Sequence, residues 1–268
     1  MQRLIKLGSV SFMNAKPLTF ALENGLVEHD FDITLTPPSD LSLMLSGKAI
    51  DLGLIPVAEF LRRNSYSAVP GISISSYGKV DSVVLLSKCE ITDIKRVAVD
   101  RRSQSSTALL RIILETFHSL SPVYLPRAAD GDFLEDVDAG MIIGDTGLET
   151  TYSPPGGYDV YDLGEIWTGE TGLPFVYAVF AVNEGVELGR NLDALHKSKD
   201  YGLGIVGKIA KLESMRTGID EGMCHKYLTE RIKYDLGEKE IEAIGRYSEY
   251  LSRLGEAEKI SRIKLYSQ

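Results

Sequence analysis

Cysteine and histidine are scarce, with 2 cysteines and 4 histidines in 268 residues. Cys89 and Cys224 lie far apart with no CxxC, and His29, His118, His196 and His225 show neither HExxH nor a paired ligand spacing. A disulfide framework and a zinc site are both unsupported. The two thiols read as small buried hydrophobes, because no sequence feature pairs either with a base. Cys224 and His225 are neighbours, but adjacent residues on a helix point to different sides. An excess of positive charge is also missing: 29 Lys plus Arg face 38 Asp plus Glu, a net charge of -9. That balance repels phosphate backbones when no basic cluster offsets it, so nucleic acid is not an expected partner. No apolar run reaches the roughly 18 residues of a membrane span, so no membrane partner is expected either. The opening "MQRLIKLGSVSFMN" lacks the uninterrupted apolar core and small-residue cleavage site of an export signal, and a cytoplasmic location is expected. Glycines are too sparse for a Walker loop and GxGxxG is absent, so nucleotide binding gains no support.

What is present is an ordinary globular composition, 44% hydrophobic, sufficient for one large domain or two lobes. Short β-branched runs predict strands at "RLIKLGSV", "FDITLTP", "IDLGLIPV", "DSVVLLSK", "KRVAVD", "SPVYLP" and "AGMIIGD". Between them "KPLTFALENG", "SDLSLMLSGK", "VAEFLRRN" and "SSTALLRIILETF" carry helical spacing and mostly stop at Gly, Asn or a turn. The pattern is α/β with a largely parallel sheet or sheets. After Lys208 it reads as helices only. In "EKEIEAIGRYSEYLSRLG", Ile241, Ile244, Tyr247, Tyr250, Leu251 and Leu254 form an amphipathic packing face. "YSPPGGYD", residues 152–159, is a surface turn.

Several strands end in small polar residues rather than charged turns. Ligands of open α/β sheets gather beyond the carboxyl ends of strands. By that rule the candidate segments are Ser9, Ser11 and Asn14; residues 37–39; residues 55–56; residues 73–82; residues 100–107; and residues 142–147. Ser105, Ser106 and Thr107 open a helix, where their hydroxyls and free backbone N–H groups can converge on a carboxylate or phosphate. Plain N-capping needs only one hydroxyl, most naturally that of Ser103. Asp145 sets a carboxylate at a strand end, or else caps the next helix. Asn14 either lines a ligand site or starts an Asx-turn into a helix with Pro17 in its first turn.

Six blocks, taken in order, resemble the chorismate dehydratase family of the futalosine route to menaquinone. They are "LGSVSFMNAKPL", "IDLGLIPVAEFLRR", "GISISSYGKVDSVVLLSK", "VAVDRRSQSSTALLRIIL", "MIIGDTGL" and "YDLGEIWTGETGLPFVYAVFAV". A weaker echo in "YLTERIKYDLG" carries the likeness nearly to the end. The resemblance implies a fold like type II periplasmic binding proteins: two α/β lobes, two chain crossings and a ligand cleft between. Lobe 1 is expected at residues 1–87 plus 181–268 and lobe 2 at 88–180, with crossings near Ser87 and residues 178–182.

The reaction so implied converts chorismate to 3-[(1-carboxyvinyl)oxy]benzoate and water, so the expected partner is a small-molecule dicarboxylate. A proton leaves C3, hydroxide leaves C4 and the ring becomes aromatic, a scheme that requires no metal or organic cofactor. Hydroxide is a poor leaving group, so a donor near C4 is needed. Asn14 is expected to polarise the C4 hydroxyl or a carboxylate through its amide. Asp145 is the candidate base, with the substrate's own side-chain carboxylate as the alternative. Ser82, Ser105, Ser106 and Thr107 are expected to hold carboxylates, with Ser11 and Ser76 from the neighbouring strand-end segments. Where the family carries a basic residue, this chain has Gln104, and Arg101, Arg102, Lys16 or Lys79 competes for that role. Two other readings stay open: a non-catalytic carboxylate binder using the same cleft, and the sibling naphthoate-forming enzyme, whose opening Pro-Asn-Asp-Thr run "SFMNAKPL" does not match.

Overall fold

The computed structural model describes residues 3–63, 65–100, 104–127 and 133–267. The first elements alternate as their sequence periods predict: β1 (Ile5–Ser9), α1 (Lys16–Glu23), β2 (Phe31–Leu35), α2 (Pro38–Ser46), β3 (Leu52–Pro56) and α3 (Val57–Leu61). β1 pairs in parallel with β2 and β3. Prolines stand in the first turns of α1 and α2, where a missing N–H costs nothing.

Two long strands complete this sheet: β4 (Tyr66–Ser76) and β10 (Phe175–Asn183). β10 runs antiparallel between β3 and β4. Among the described residues the order of this six-stranded sheet is β11-β4-β10-β3-β1-β2, where β11 is the two-residue strand Ile232–Lys233. The second sheet contains β5 (Val83–Ser87), β6 (Arg96–Asp100), β7 (Val123–Arg127), β8 (Ala139–Ile143) and β9 (Asp159–Asp162), ordered β7-β6-β8-β5-β9. Here β5 runs antiparallel to both β8 and β9. The expectation of largely parallel sheets is therefore corrected. Both sheets are mixed, because each strand that follows a crossing is inserted against the direction of its neighbours.

The chain leaves the first sheet after Ser76, enters the second at Val83, and returns between Asp162 and Phe175. These passages fall earlier than the expected divisions at Ser87 and residue 181. All five residues of β5 are buried, so its composition alone is compatible with either sheet, and only its pairing with β8 and β9 assigns it to the second.

Around the second sheet lie α4 (Gln104–Arg111), which continues into the wider π-helical turn Ile112–Phe117, then α5 (Gly144–Tyr152) and α6 (Leu163–Thr171). The remaining helices are α7 (Arg190–Gly204), α8 (Val206–Thr217), α9 (Glu221–Lys226), a second π-helical turn Tyr227–Arg231, and α10 (Glu238–Arg253). The stretch after Lys208 is thus not wholly helical, since β11 interrupts it to extend the edge of β4. α10 buries Ile244, Tyr247 and Leu251, the face its periodicity predicts. Tyr247 and Tyr250 meet Trp167 of α6 edge-on, with centroids 6.0 and 5.9 Å away. The buried Trp167 satisfies its indole N–H on the Pro174 carbonyl at 2.9 Å. This aromatic cluster ties α10 to α6 and to Phe117 of the first π-helical turn.

Cys224 is buried, and burial pushes its thiol up to about 11, while His225 beside it is exposed. Among the described residues no helix is long and apolar enough to cross a membrane.

Candidate active site between the sheets

The break after β1 is a 3₁₀ turn, Met13–Ala15, leading directly into α1. Asn14 sits half-buried in it and makes no capping hydrogen bond at either helix start. It lines a cavity of about 100 Å³, partly open to solvent, together with Ser82, Ser105, Ser106 and Tyr177. The cavity's walls are apolar, with Phe12, Leu54, Ile74, Val80 and Val83 among them, and none of its described lining residues is charged.

Three helices bring their first residues to this cavity: α2 through Pro38, α4 through Ser105 and Ser106, and α5 through Gly144. Pro38 has no N–H and the Gly144 N–H is taken by the Ser82 carbonyl at 2.8 Å, so what the three starts share is the positive end of the helix dipole, which favours an anion without any cationic side chain. Gly144 has φ +68°, and a Cβ there would lie 3.3 Å from the Phe12 ring. The glycine lets Phe12 cross the start of α5.

Ser82 and Ser105 are held in the same way. Ser82 Oγ accepts from the Tyr227 hydroxyl at 2.8 Å, and Ser105 Oγ accepts from the Ala58 backbone N–H at 3.0 Å. Ser105 thereby caps α3, a helix of the other sheet, and its carbonyl accepts from Tyr247 Oη at 3.0 Å. Each hydroxyl keeps its own proton free to donate. Ser106 is 9% exposed and also lines the cavity.

The segment that presents Ser82 is firmly supported. Asp162 accepts from the N–H groups of Val80 at 3.0 Å, Asp81 at 2.7 Å and Glu165 at 3.0 Å. Burial still raises its pKa, with those three N–H groups pulling the other way. Asp81, at φ 61°, pairs with Arg231 at 2.6 Å and accepts from Tyr152 Oη at 3.0 Å. Burial first, and then the Asp81 charge, pushes the Tyr152 phenol up to about 12.

Other expected site residues lie elsewhere. Asp145 lines an adjoining cavity together with Ser11, and Val10, Phe12, Pro38 and Ile143 border both spaces. Its carboxylate pairs with Arg216 at 2.6 Å and accepts from the Met13 N–H at 3.3 Å. Thr107 is half-buried and does not line the Asn14 cavity. Ser76 is fully buried behind the wall, donating to the Gly78 carbonyl at 3.3 Å and bonded to Tyr177 Oη at 2.9 Å. Gly164 allows that packing, since a Cβ on it would lie 2.6 Å from Tyr177 Oη.

Of the basic candidates, Lys16 is paired with Glu23 at 2.7 Å, and the exposed Lys79 lies 3.5 Å from Glu165. Arg101, Arg102, Ser103 and the Gln104 side chain fall outside the described residues. Sequence reasoning passed over Tyr177 and Tyr227. Each is a tyrosine within an apolar period, where an aromatic reads as core.

A family model described as menaquinone biosynthesis matches residues 5–253. Chorismate dehydratase of Thermus thermophilus is 28% identical over 261 residues, spanning 91% of this chain and 94% of its own. A protein from Archaeoglobus fulgidus has the same fold with TM-score 0.77 at 19% identity, covering 95% of this chain and 98% of the other. The alkanesulfonate-binding protein SsuA from Xanthomonas axonopodis pv. citri, bound to MOPS, gives TM-score 0.71 at 15% identity, covering 98% and 96%. These likenesses give a periplasmic-binding-protein-like fold with a cleft between two α/β layers. With the family match running from the first strand to the end of α10, the chain belongs to the menaquinone biosynthesis family.

Proposed function

We propose that the protein is a cytoplasmic carbon–oxygen lyase that dehydrates chorismate to 3-[(1-carboxyvinyl)oxy]benzoate, a step of the futalosine route. The observation that carries this reading is the cavity of Asn14, Ser82, Ser105 and Ser106, built of uncharged donors and helix starts within apolar walls. That chemistry suits a flat ring bearing two carboxylates, and the Thermus thermophilus relative bears the corresponding name.

In the reaction the C3–H and C4–O bonds break, a C3=C4 bond forms, and the proton and hydroxide leave together as water. Ser82, Ser105 and Ser106 hold carboxylates through their hydroxyls and the α4 start. The ring carboxylate, fixed by such donors, accepts the negative charge that develops when C3 loses its proton. Asn14 donates its amide N–H to the departing C4 hydroxyl. No acidic side chain is among the cavity's described lining residues, and Asp145 is engaged by Arg216 and the Met13 N–H. The base is therefore the enolpyruvyl carboxylate of the substrate, which hangs from C3 through one oxygen and reaches the neighbouring proton. Asp145 instead braces the turn that carries Asn14.

The test is to incubate the purified protein with chorismate and follow the aromatic product by mass spectrometry. Loss of one water with appearance of the benzoate supports the reading. Binding of chorismate without turnover overturns it in favour of a carboxylate-binding protein.

A further inference from the structure

We propose that Tyr227 is a positioning residue of this site: by donating its phenol proton to Ser82 Oγ, it leaves Ser82 to aim its own proton into the cavity as the donor to a bound carboxylate. A serine hydroxyl rotates freely and can either give or accept a hydrogen bond, so a lone serine in a cavity has no fixed polarity. Tyr227 removes that freedom. It is 2% exposed, and its hydroxyl lies 2.8 Å from Ser82 Oγ. Buried in this way, the phenol cannot turn to water and must place its proton on an acceptor.

The phenol also stays protonated. Burial raises its pKa far more than the Ser82 and Asn14 side chains, which both act on it, bring it down. Tyr227 is thus a constant donor rather than a base. Its neighbourhood is also shared by the two polar side chains expected to touch substrate from different parts of the chain.

The backbone supports this arrangement on both sides. Tyr227 opens the π-helical turn Tyr227–Arg231, an irregularity that recurs at functional sites. At the other end of that turn Arg231 pairs with Asp81, the residue next to Ser82, at 2.6 Å. Side-chain contacts at Tyr227–Ser82 and Arg231–Asp81 therefore lock the turn against the crossing segment in one register. Ser105 shows the same polarity by another means, since the Ala58 N–H occupies its acceptor side. Two serines on the cavity wall are thereby fixed as donors, which is the polarity an anionic ligand requires.

The identity of the ligand rests on the dehydratase reading; the positioning role does not. The test is a double-mutant cycle of Tyr227→Phe, Ser82→Ala and the pair, read by benzoate affinity, by kcat and KM for chorismate, and by melting temperature. Tyr227→Phe and Ser82→Ala are each expected to weaken benzoate binding about tenfold. The pair should be no weaker than Ser82→Ala alone, because the phenol's effect on the ligand runs through Ser82 and not through its contact with Asn14. A Tyr227→Phe protein that melts earlier but binds benzoate normally overturns the proposal, as do two losses that add in full. If that variant does not fold, Arg231→Ala replaces it: it must weaken benzoate binding when Ser82 is present and have no effect on binding in the Ser82→Ala background. A wild type that binds benzoate but leaves chorismate intact sinks the dehydratase reading while the binding cycle still reports on Tyr227. One that binds no benzoate overturns the positioning role.

Discussion

Arg216 of α8 and Asp145 at the start of α5 form an ion pair of 2.6 Å between a helix packed on α1 and the end of a strand in the second sheet. Glu213 shares the same guanidinium at 2.5 Å. Asp145 is thus a tie between the two layers as well as an acceptor for the Met13 N–H. Asp145→Asn keeps an oxygen for Met13 and loses only the charge pairing. It should change single-turnover dehydration of chorismate by less than about tenfold, well short of the loss from removing a general base. The pair is part-exposed, so its loss should cost stability only about 0–1 kcal/mol. A collapse of the chemical step with binding retained would restore Asp145 as the base.

Ser105 and Ser106 should separate in their effects although they are adjacent. Ser105 caps α3 through the Ala58 N–H, so Ser105→Ala should lower unfolding stability by about 1 kcal/mol, measured in urea. Ser106 has no such cap to maintain among the described residues and borders the cavity. Ser106→Ala should leave stability nearly unchanged and weaken binding of the dicarboxylate product about tenfold by calorimetry. If Ser106→Ala binds normally and melts earlier, the start of α4 is structural only.

Stability should also carry a histidine signature. His196 lies on α7 against Gly71, where an added Cβ would stand 3.3 Å from the imidazole. Burial first, and then the Lys199 charge, lower its pKa below the ordinary histidine value. The unfolded chain therefore binds this proton more readily than the folded one. The stabilisation from neutral His196 is complete above the unfolded value and disappears as pH falls through the lowered folded value. Urea midpoints of wild type should drop across that window by more than those of His196→Gln, and parallel profiles would refute the assignment.

The polar strand ends were legible because a small polar residue where a sheet stops has few structural uses. Asn14, Ser82, Ser105 and Ser106 do converge on one cavity. Ser76 misleads because β4 is buried along most of its length and still carries serines. Their hydroxyls are satisfied inside the fold, Ser73 on the Asp235 carbonyl at 2.5 Å and Ser75 on the Lys233 carbonyl at 3.4 Å. A buried strand that spends serines on its edge neighbour has the composition of a ligand loop. The placement of β5 and the antiparallel course of β10 depend on pairings between distant segments, which no local period encodes. Tyr227 was hidden for the opposite reason, since its ring fills the core while only its hydroxyl serves the site.

Asn14 is where the proposed chemistry is most exposed to test. Its side chain caps neither adjoining helix, so Asn14→Ala should leave a folded protein, and Ser82, Ser105 and Ser106 remain to bind product. Turnover should nevertheless fall by about a hundredfold or more, as for loss of a preorganised donor. Deuterium at C3 of chorismate then distinguishes its role. If Asn14 assists departure of the C4 hydroxyl, removing the amide makes C–O cleavage the slow step, and the isotope effect in single turnover should shrink relative to wild type. If Asn14 instead assists deprotonation, by holding the carboxylate that receives the charge, the isotope effect should persist or grow. Unimpaired turnover by Asn14→Ala would remove the residue from the mechanism altogether, and with it the reason for a polar break between β1 and α1.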